Sequence, residues 1–296
     1  MMEFLNFHLI PGLVLGSIYA LGAIGITLTF SILRFANFSH GELMTLGAYF
    51  TFSLITITGW HPIAVLPVSM ALVAVVALGI DRVFYKPLRA SPVVIIVIAS
   101  FGMMLMVRSA TQFFWGVQLK SLVTGIQRPL VYFDALRISP KHMVIVAGAL
   151  ILMLAIHLLL TKTKIGKAMR AMSDSPELAR LTGINTENVI KATWMVGAAT
   201  AAAAGMFLAY DSHVDTMMGF NILLPVFASA LLGGIGRPYG AMAGGLVIGV
   251  VEELSTYAWI GTEPLLSPGY KAGVSFAIMV AILIWRPSGL LRGRVF

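Results

Sequence analysis

Apolar runs of bilayer length dominate this chain and restrict what it can fold into. They lie near residues 8–32, 40–58, 62–84, 92–114, 141–161, 191–211, 221–236, 240–258 and 270–286. A helix needs roughly 20 apolar residues to cross a hydrocarbon core about 30 Å thick, and most of these runs meet that length. Runs 40–58 and 221–236 are short for a full crossing. Charged residues make up only 11% of the chain, where a soluble domain holds about a quarter, and the mean hydropathy is +0.92. The expected fold class is an all-α polytopic membrane protein: one transmembrane domain over 1–296, a bundle of about 8–9 segments, some short or re-entrant. The start, "MMEFLNFHLIPG", has no Lys or Arg before its apolar run. It therefore reads as a retained span rather than a cleaved signal peptide.

Charge orients the spans. Lys86, Arg89, the 162–191 segment and the C-terminal tail hold eleven Lys and Arg, against five on the other side: Lys120, Arg128, Arg137, Lys141 and Lys271. Positive loops stay in the cytoplasm, which predicts the N-terminus outside and the C-terminus inside. The formal net charge of +8 is a by-product of that bias, and no basic, aromatic-interleaved stretch points to nucleic acid. With no cysteine in the chain, disulfides, thiolate metal sites and a cysteine nucleophile are excluded.

Small residues recur at helical spacing in Gly12, Gly16 and Ala20, in Gly197, Ala201 and Gly205, and in Gly236, Gly240 and Gly244. Such faces let helix backbones approach closely in lipid. Motifs for nucleotide chemistry are missing: "TKIGKAMR" lacks the first glycine and the Ser or Thr of a phosphate-binding loop, and "LLGGIGRPYG" has no lysine. The six histidines show no metal-ligand spacing.

Two segments remain as candidates. In "LRFANFSHGELMTLGAY", Ser39-His40-Gly41-Glu42 fits a capping box, in which Ser39 and Glu42 satisfy each other's backbone N–H groups. Arg34 reads as an interfacial anchor, and Asn37 and His40, left without a local duty, become candidates for the inner end of a translocation path. The segment rhymes with "GIGRPYGAMAGGLVIGVVEE", and short, Gly- or Pro-interrupted segments in corresponding places point to a transport pathway. Glu42 and Glu252 are further path candidates, because a charge at membrane depth is a functional hypothesis by default. The competing expectation for Glu252 and Glu253 is snorkelling to the outer surface; Arg108, and Asp81 with Arg82, are expected to snorkel at their span ends.

The second segment, "TKTKIGKAMRAMSDSPELARLTGINTENVIKATW", is the longest polar run. It reads as helix, break and short helix: Ser175 as N-cap, Pro176 at the first helical position, Asp174 and Glu177 near the positive helix end, and Gly183 as left-handed C-cap. Lys162, Lys164 and Lys167 would attract anionic lipid. Two such short helices cannot form a domain alone, and their capping favours a rigid docking knob, spanning 162–190 with Arg170 and Arg180 on it.

Taken together, "GLVLGSIYALGAIGITLTF" with "NFSHGELMTLGAY", "AMRAMSDSPELARLTGINTENVI", "ALLGGIGRPYGAMAGGLVIGVVEEL" and "RPSGLLRG" make the chain resemble the permease subunits of bacterial branched-chain amino acid ABC importers of the LivH type. It departs from the usual pattern at Ser39 and Arg237. The resemblance implies a second homologous permease, two cytoplasmic ATP-binding subunits that hold ATP and Mg, an external solute-binding protein, and no cofactor in this chain. It also implies that "SDSPELARLTG" is a coupling helix seated on an ATPase. Permeases for urea or short amides share the resemblance. A self-sufficient secondary transporter and an intramembrane enzyme are the competing classes; the enzyme lacks a nucleophile and an orienting group beside His40 and Glu42.

Overall fold

The computed structural model describes residues 4–123, 130–132, 136–258, 266–286 and 289. Helix α1 (Ile10–Leu33) follows a π-helical turn, Leu5–Leu9. Then come α2 (His40–Thr58), α3 (Pro62–Ile80), whose end continues through a π turn (Asp81–Tyr85) into Lys86–Leu88, and α4 (Val93–Trp115). Two three-residue strands, Leu130–Tyr132 and Leu136–Ile138, pair antiparallel. The second half holds α5 (Pro140–Lys162), α6 (Lys164–Asp174), α7 (Pro176–Leu181), α8 (Thr186–Asp211), α9 (Met218–Gly233), α10 (Pro238–Leu254) and α11 (Lys271–Trp285).

Among the described residues, five helical stretches are long and apolar enough to cross a membrane: Leu5–Leu33, Pro62–Leu88, Val93–Trp115, Pro140–Lys162 and Thr186–Asp211. The chain is a multi-pass membrane protein. Helices α1 and α8 form its centre, with 72% of their apolar windows buried, whereas the corresponding windows of α3, α4 and α5 are 28% buried and turn most of their surface outward. Without a hydrophobic drive between helices in lipid, close backbone contact has to hold the centre. Gly12 and Gly16 of α1 lie against the Gly249–Val250 and Gly245–Leu246 backbones of α10, and Gly205 of α8 against the Met44 backbone of α2. These are the glycine faces expected from spacing, joined by Gly245 and Gly249.

The bundle has two distinct ends. Helices α6 and α7 form a knob at the end where α1, α3 and α5 finish and α8 begins. At the far end Lys141 and His142 pair with Asp211, and His8 meets the Glu253 carbonyl. Leu5 therefore starts far from the knob, whereas Gly289 packs on Gly234 at the knob end.

Helix α2 begins deeper than a span of ordinary length would. His40 hydrogen-bonds the carbonyl of Gly22, eleven residues before the end of α1 and hence roughly 16 Å above it. Residues 34–39 re-enter the bundle to reach that depth, within the reach of six extended residues at about 3.3 Å each. Arg34 starts the turn as an exposed residue at φ 59°, the left-handed cap of α1. Helix α9 also begins inside: Gly219 sits on the backbone of Gly41, and its N–H donates to the Thr45 hydroxyl at 3.1 Å.

Candidate functional site

The re-entrant turn is held by its own polar groups. The Asn37 Oδ1 accepts from the Ser39 N–H at 3.2 Å, the Ser39 hydroxyl at 2.7 Å and the Tyr85 hydroxyl at 3.0 Å. Tyr85 is itself stacked on Trp194 at 5.1 Å, and the Phe38 N–H donates to Ser100. The Asn37 oxygen thus has a duty at the turn, while its Nδ2 is buried with no hydrogen-bond partner among the described residues. The capping box does not form. Ser39 makes no side-chain cap, its hydroxyl turning back to donate to Asn37, and Glu42 reaches away from it. Ser39 also sits in the right-handed helical region, at φ −68° and ψ −7°, rather than in the extended conformation that aims an N-cap side chain at the first helical N–H groups.

His40 is fully buried, with Nε2 3.1 Å from the Gly22 carbonyl. A carbonyl only accepts, so Nε2 carries the proton and Nδ1 is a bare acceptor; Nδ1 has no partner among the described residues.

Glu42, also fully buried, pairs with Arg108 of α4. One oxygen, Oε1, takes both Nε at 3.0 Å and Nη2 at 2.6 Å, while Oε2 has no hydrogen-bond partner among the described residues. The guanidinium lies over the Phe220 ring, 4.6 Å from its centroid. Arg108 therefore turns inward rather than snorkelling, because a carboxylate at its own depth neutralises it more completely than a distant interface. Arg108 was legible in principle: an arginine within a span calls for a buried counter-charge, and Glu42 is such a group. The first turns of α2 and α9 meet beside this pair, and both present helix N-termini, which favour negative charge.

The side chain of Glu42 is 0% exposed and that of Arg108 12%. The arginine is the more accessible member, and Phe220, over which it lies, is itself exposed. A charge this deep is expensive to retain for stability alone, since buried ion pairs often do no better than apolar replacements.

Glu252 lies elsewhere and shares no partner with Asn37, His40 or Glu42. Its carboxylate accepts from Tyr19 at 2.7 Å and from Ser275, joining α1, α10 and α11. It is 1% exposed and does not snorkel; Glu253 beside it pairs with Lys271 at 2.6 Å. Asp81 likewise stays buried, held by two hydrogen bonds from Arg89, which also reaches Glu187 at 2.8 Å.

The knob folds as its caps dictate. The Thr163 hydroxyl accepts from Gly166 N–H, Ser175 from Leu178 N–H, and the Asn185 side chain from Asn188 N–H. Gly183 at φ 80° ends α7, with Ile184 N–H returning to the Ala179 carbonyl. Gly166 packs on the backbone of Leu159 and Leu160, and Met169, Met172 and Ala179 face inward, which fixes the knob to the bundle. Arg170 and Arg180 are exposed, as are Leu178 at 62% and Leu181 at 83%. Arg170 and Asp174 also border a 390 Å³ cavity with Ser31, Arg237 and Tyr239.

Comparison with known proteins places these features in one family. The family described as "Branched-chain amino acid transport system / permease component" matches residues 9–283. The chain is 37% identical to the high-affinity branched-chain amino acid transport system permease protein LivH of Escherichia coli, over 98% of this chain and 96% of that one. It is 31% identical to the corresponding permease protein BraD of Pseudomonas aeruginosa, over 96% and 94%. A probable LivH permease of Methanocaldococcus jannaschii is 30% identical over 94% and 90%. A re-entrant, glycine-packed bundle with a capped knob, matched from end to end in this way, belongs to the family of branched-chain amino acid transport permease components.

Proposed function

We propose that this chain is a transmembrane permease subunit of an ATP-driven importer for branched-chain amino acids in the bacterial inner membrane. The observation that carries the reading is the capped α6–α7 knob with Leu178 and Leu181 turned outward, on a chain matched by that permease family over nearly its whole length. Leu178 and Leu181, three positions apart on a rigid, charged element, form a small apolar patch that a cytoplasmic ATP-binding subunit would cover. Arg170, Asp174, Ser175, Pro176, Glu177, Arg180 and Gly183 shape or line that contact. The knob end is then cytoplasmic, with the N-terminus outside and the C-terminus inside, in keeping with the Lys and Arg bias.

In this reading a second permease completes the passage, and a solute-binding protein delivers substrate from outside. ATP and Mg stay in the two ATP-binding subunits. Closure of those subunits pushes the knob and shifts the bundle between outward- and inward-facing states, which requires that they bind the two states with different affinity. The polar, re-entrant start of α2 lines the path, with His40 and Glu42 nearest to it. Glu252 is the knot that keeps α11 on α1 and α10.

Reconstitution of the full complex in proteoliposomes tests this. ATP-dependent leucine uptake is expected, and Leu181→Asp should lower both uptake and retention of the ATP-binding subunits. Gradient-driven flux by this chain alone, or uptake indifferent to Leu181→Asp, would count against it.

A further inference from the structure

We infer that Glu42 and Arg108 form a binding site for the two charged ends of a zwitterionic amino acid, which inserts between them and replaces one ion pair by two. The inference rests on the proposed function and goes further in naming the residues that handle the substrate's charges.

Four observations converge. Arg108 donates twice to a single oxygen of Glu42 and leaves Oε2 fully buried without a partner among the described residues, so the pair is closed but not saturated. The guanidinium is the more accessible member, with 12% of its side chain exposed against 0% for the carboxylate. The N-termini of α2 and α9 meet here, and their dipoles favour a carboxylate whether it is the protein's or the substrate's. Against the arginine lies the Phe220 ring, and Leu105, three residues before it on α4, is exposed as well, apolar surface suited to a branched aliphatic side chain.

Charge conservation gives the arrangement its chemistry. A zwitterion carries its ammonium and carboxylate on one carbon. Its carboxylate takes the guanidinium edge in place of Glu42, and its ammonium takes the freed Glu42 carboxylate. Net charge in the site is zero before, during and after passage. No step leaves an unpaired ion in a low-dielectric interior, which would cost several kcal/mol. Urea or a short amide carries no charges to make this exchange and would have to break the pair without replacing it. The site therefore favours amino acids over the neutral solutes handled by similar permeases. A purely structural pin between α2 and α4 would need the same two residues, and the test must separate the two roles.

The test uses the complete importer in proteoliposomes, measuring assembly, ATP hydrolysis and leucine uptake for the wild type, for Glu42→Gln with Arg108→Gln, and for Arg108→Lys. The double variant removes both charges together, so that neither is left buried and unpaired; it is expected to assemble and hydrolyse ATP while uptake falls by about tenfold to a hundredfold, as for lost charged hydrogen bonds. Arg108→Lys, which keeps the charge but not the two-nitrogen fork, should assemble and retain intermediate uptake. Wild-type uptake in the double variant would overturn the inference while leaving the importer reading intact. Failure of both variants to assemble would mark the pair as a pin and overturn it as well. Absence of leucine uptake by the wild-type complex would instead refute the proposed function itself.

Discussion

Tyr19 and Glu252, 233 positions apart, are joined by a 2.7 Å hydrogen bond inside the bundle. With Ser275 on the other oxygen, the bond ties the first transmembrane helix to the last two described. Tyr19→Phe removes the donor and leaves a buried carboxylate oxygen unpaired. We expect a loss of about 1–3 kcal/mol, read as a lower unfolding temperature of the detergent-solubilised protein. Glu253→Gln, which weakens only the partly exposed pair with Lys271, should change it less. An unchanged unfolding temperature for Tyr19→Phe would show that the knot is not under load.

Gly25 offers a test of the re-entrant turn. A Cβ there would come within 2.5 Å of the His40 ring and 2.7 Å of the Thr200 hydroxyl. Gly25→Ala should displace His40 from the Gly22 carbonyl, destabilise the protein by about 1–3 kcal/mol as overpacking does, and reduce uptake. Contacting residues couple. Gly25→Ala combined with His40→Ala should therefore recover part of the stability lost in Gly25→Ala alone, the contact of the new Cβ with the Gly197 carbonyl at 2.8 Å remaining, and equal instability of the two would place the strain elsewhere.

Much of this architecture was legible from periodicity and end signals. The span 40–58 coincides with α2, and Ser175, Pro176 and Gly183 cap α7 as their residue types require. Local chemistry determined those features, so a local reading found them. The capping box at Ser39 failed because partners distant in sequence intervened: Tyr85 reinforces Asn37, and Arg108, 66 positions on, takes Glu42. A motif describes what a segment does when nothing else competes. Likewise a span seen alone offers Arg108 and Asp81 only its ends, which is why snorkelling is expected of them; in the bundle each has a counter-charge within hydrogen-bond distance.

Helix packing through glycine yields a prediction without charge. A Cβ on Gly205 would overlap the backbone of Met44, and Gly205 is buried in the central helix. Backbone cannot move aside as a side-chain tip can, so Gly205→Ala should push α2 off α8 and abolish accumulation of folded protein in the membrane. Gly102→Ala, with open space at its Cβ, is the matched control and should accumulate normally. Membrane-fraction yield and monodispersity on gel filtration give the comparison.

Arg89 joins the end of α3 to the start of α8, beside the knob, and separates stability from coupling. It donates to both oxygens of Asp81 at the end of α3 and to Glu187 in the first turn of α8, directly after the knob. Side-chain exposure is 6% for Asp81 and 23% for Arg89, so this is a partly buried clasp whose loss leaves a carboxylate unpaired. Arg89→Ala should lower stability by about 1–3 kcal/mol. If motion of the knob reaches α3 through this clasp, Arg89→Ala should also lower the number of leucine molecules imported per ATP hydrolysed, beyond any fall in protein amount. Lys86→Ala removes the neighbouring contact to Glu187, whose partners are 51% and 43% exposed. An exposed pair of that kind contributes about 0–1 kcal/mol, so the import ratio should stay near wild type. A reduced ratio in both variants, or in neither, would mean that the clasp does not transmit the motion of the knob.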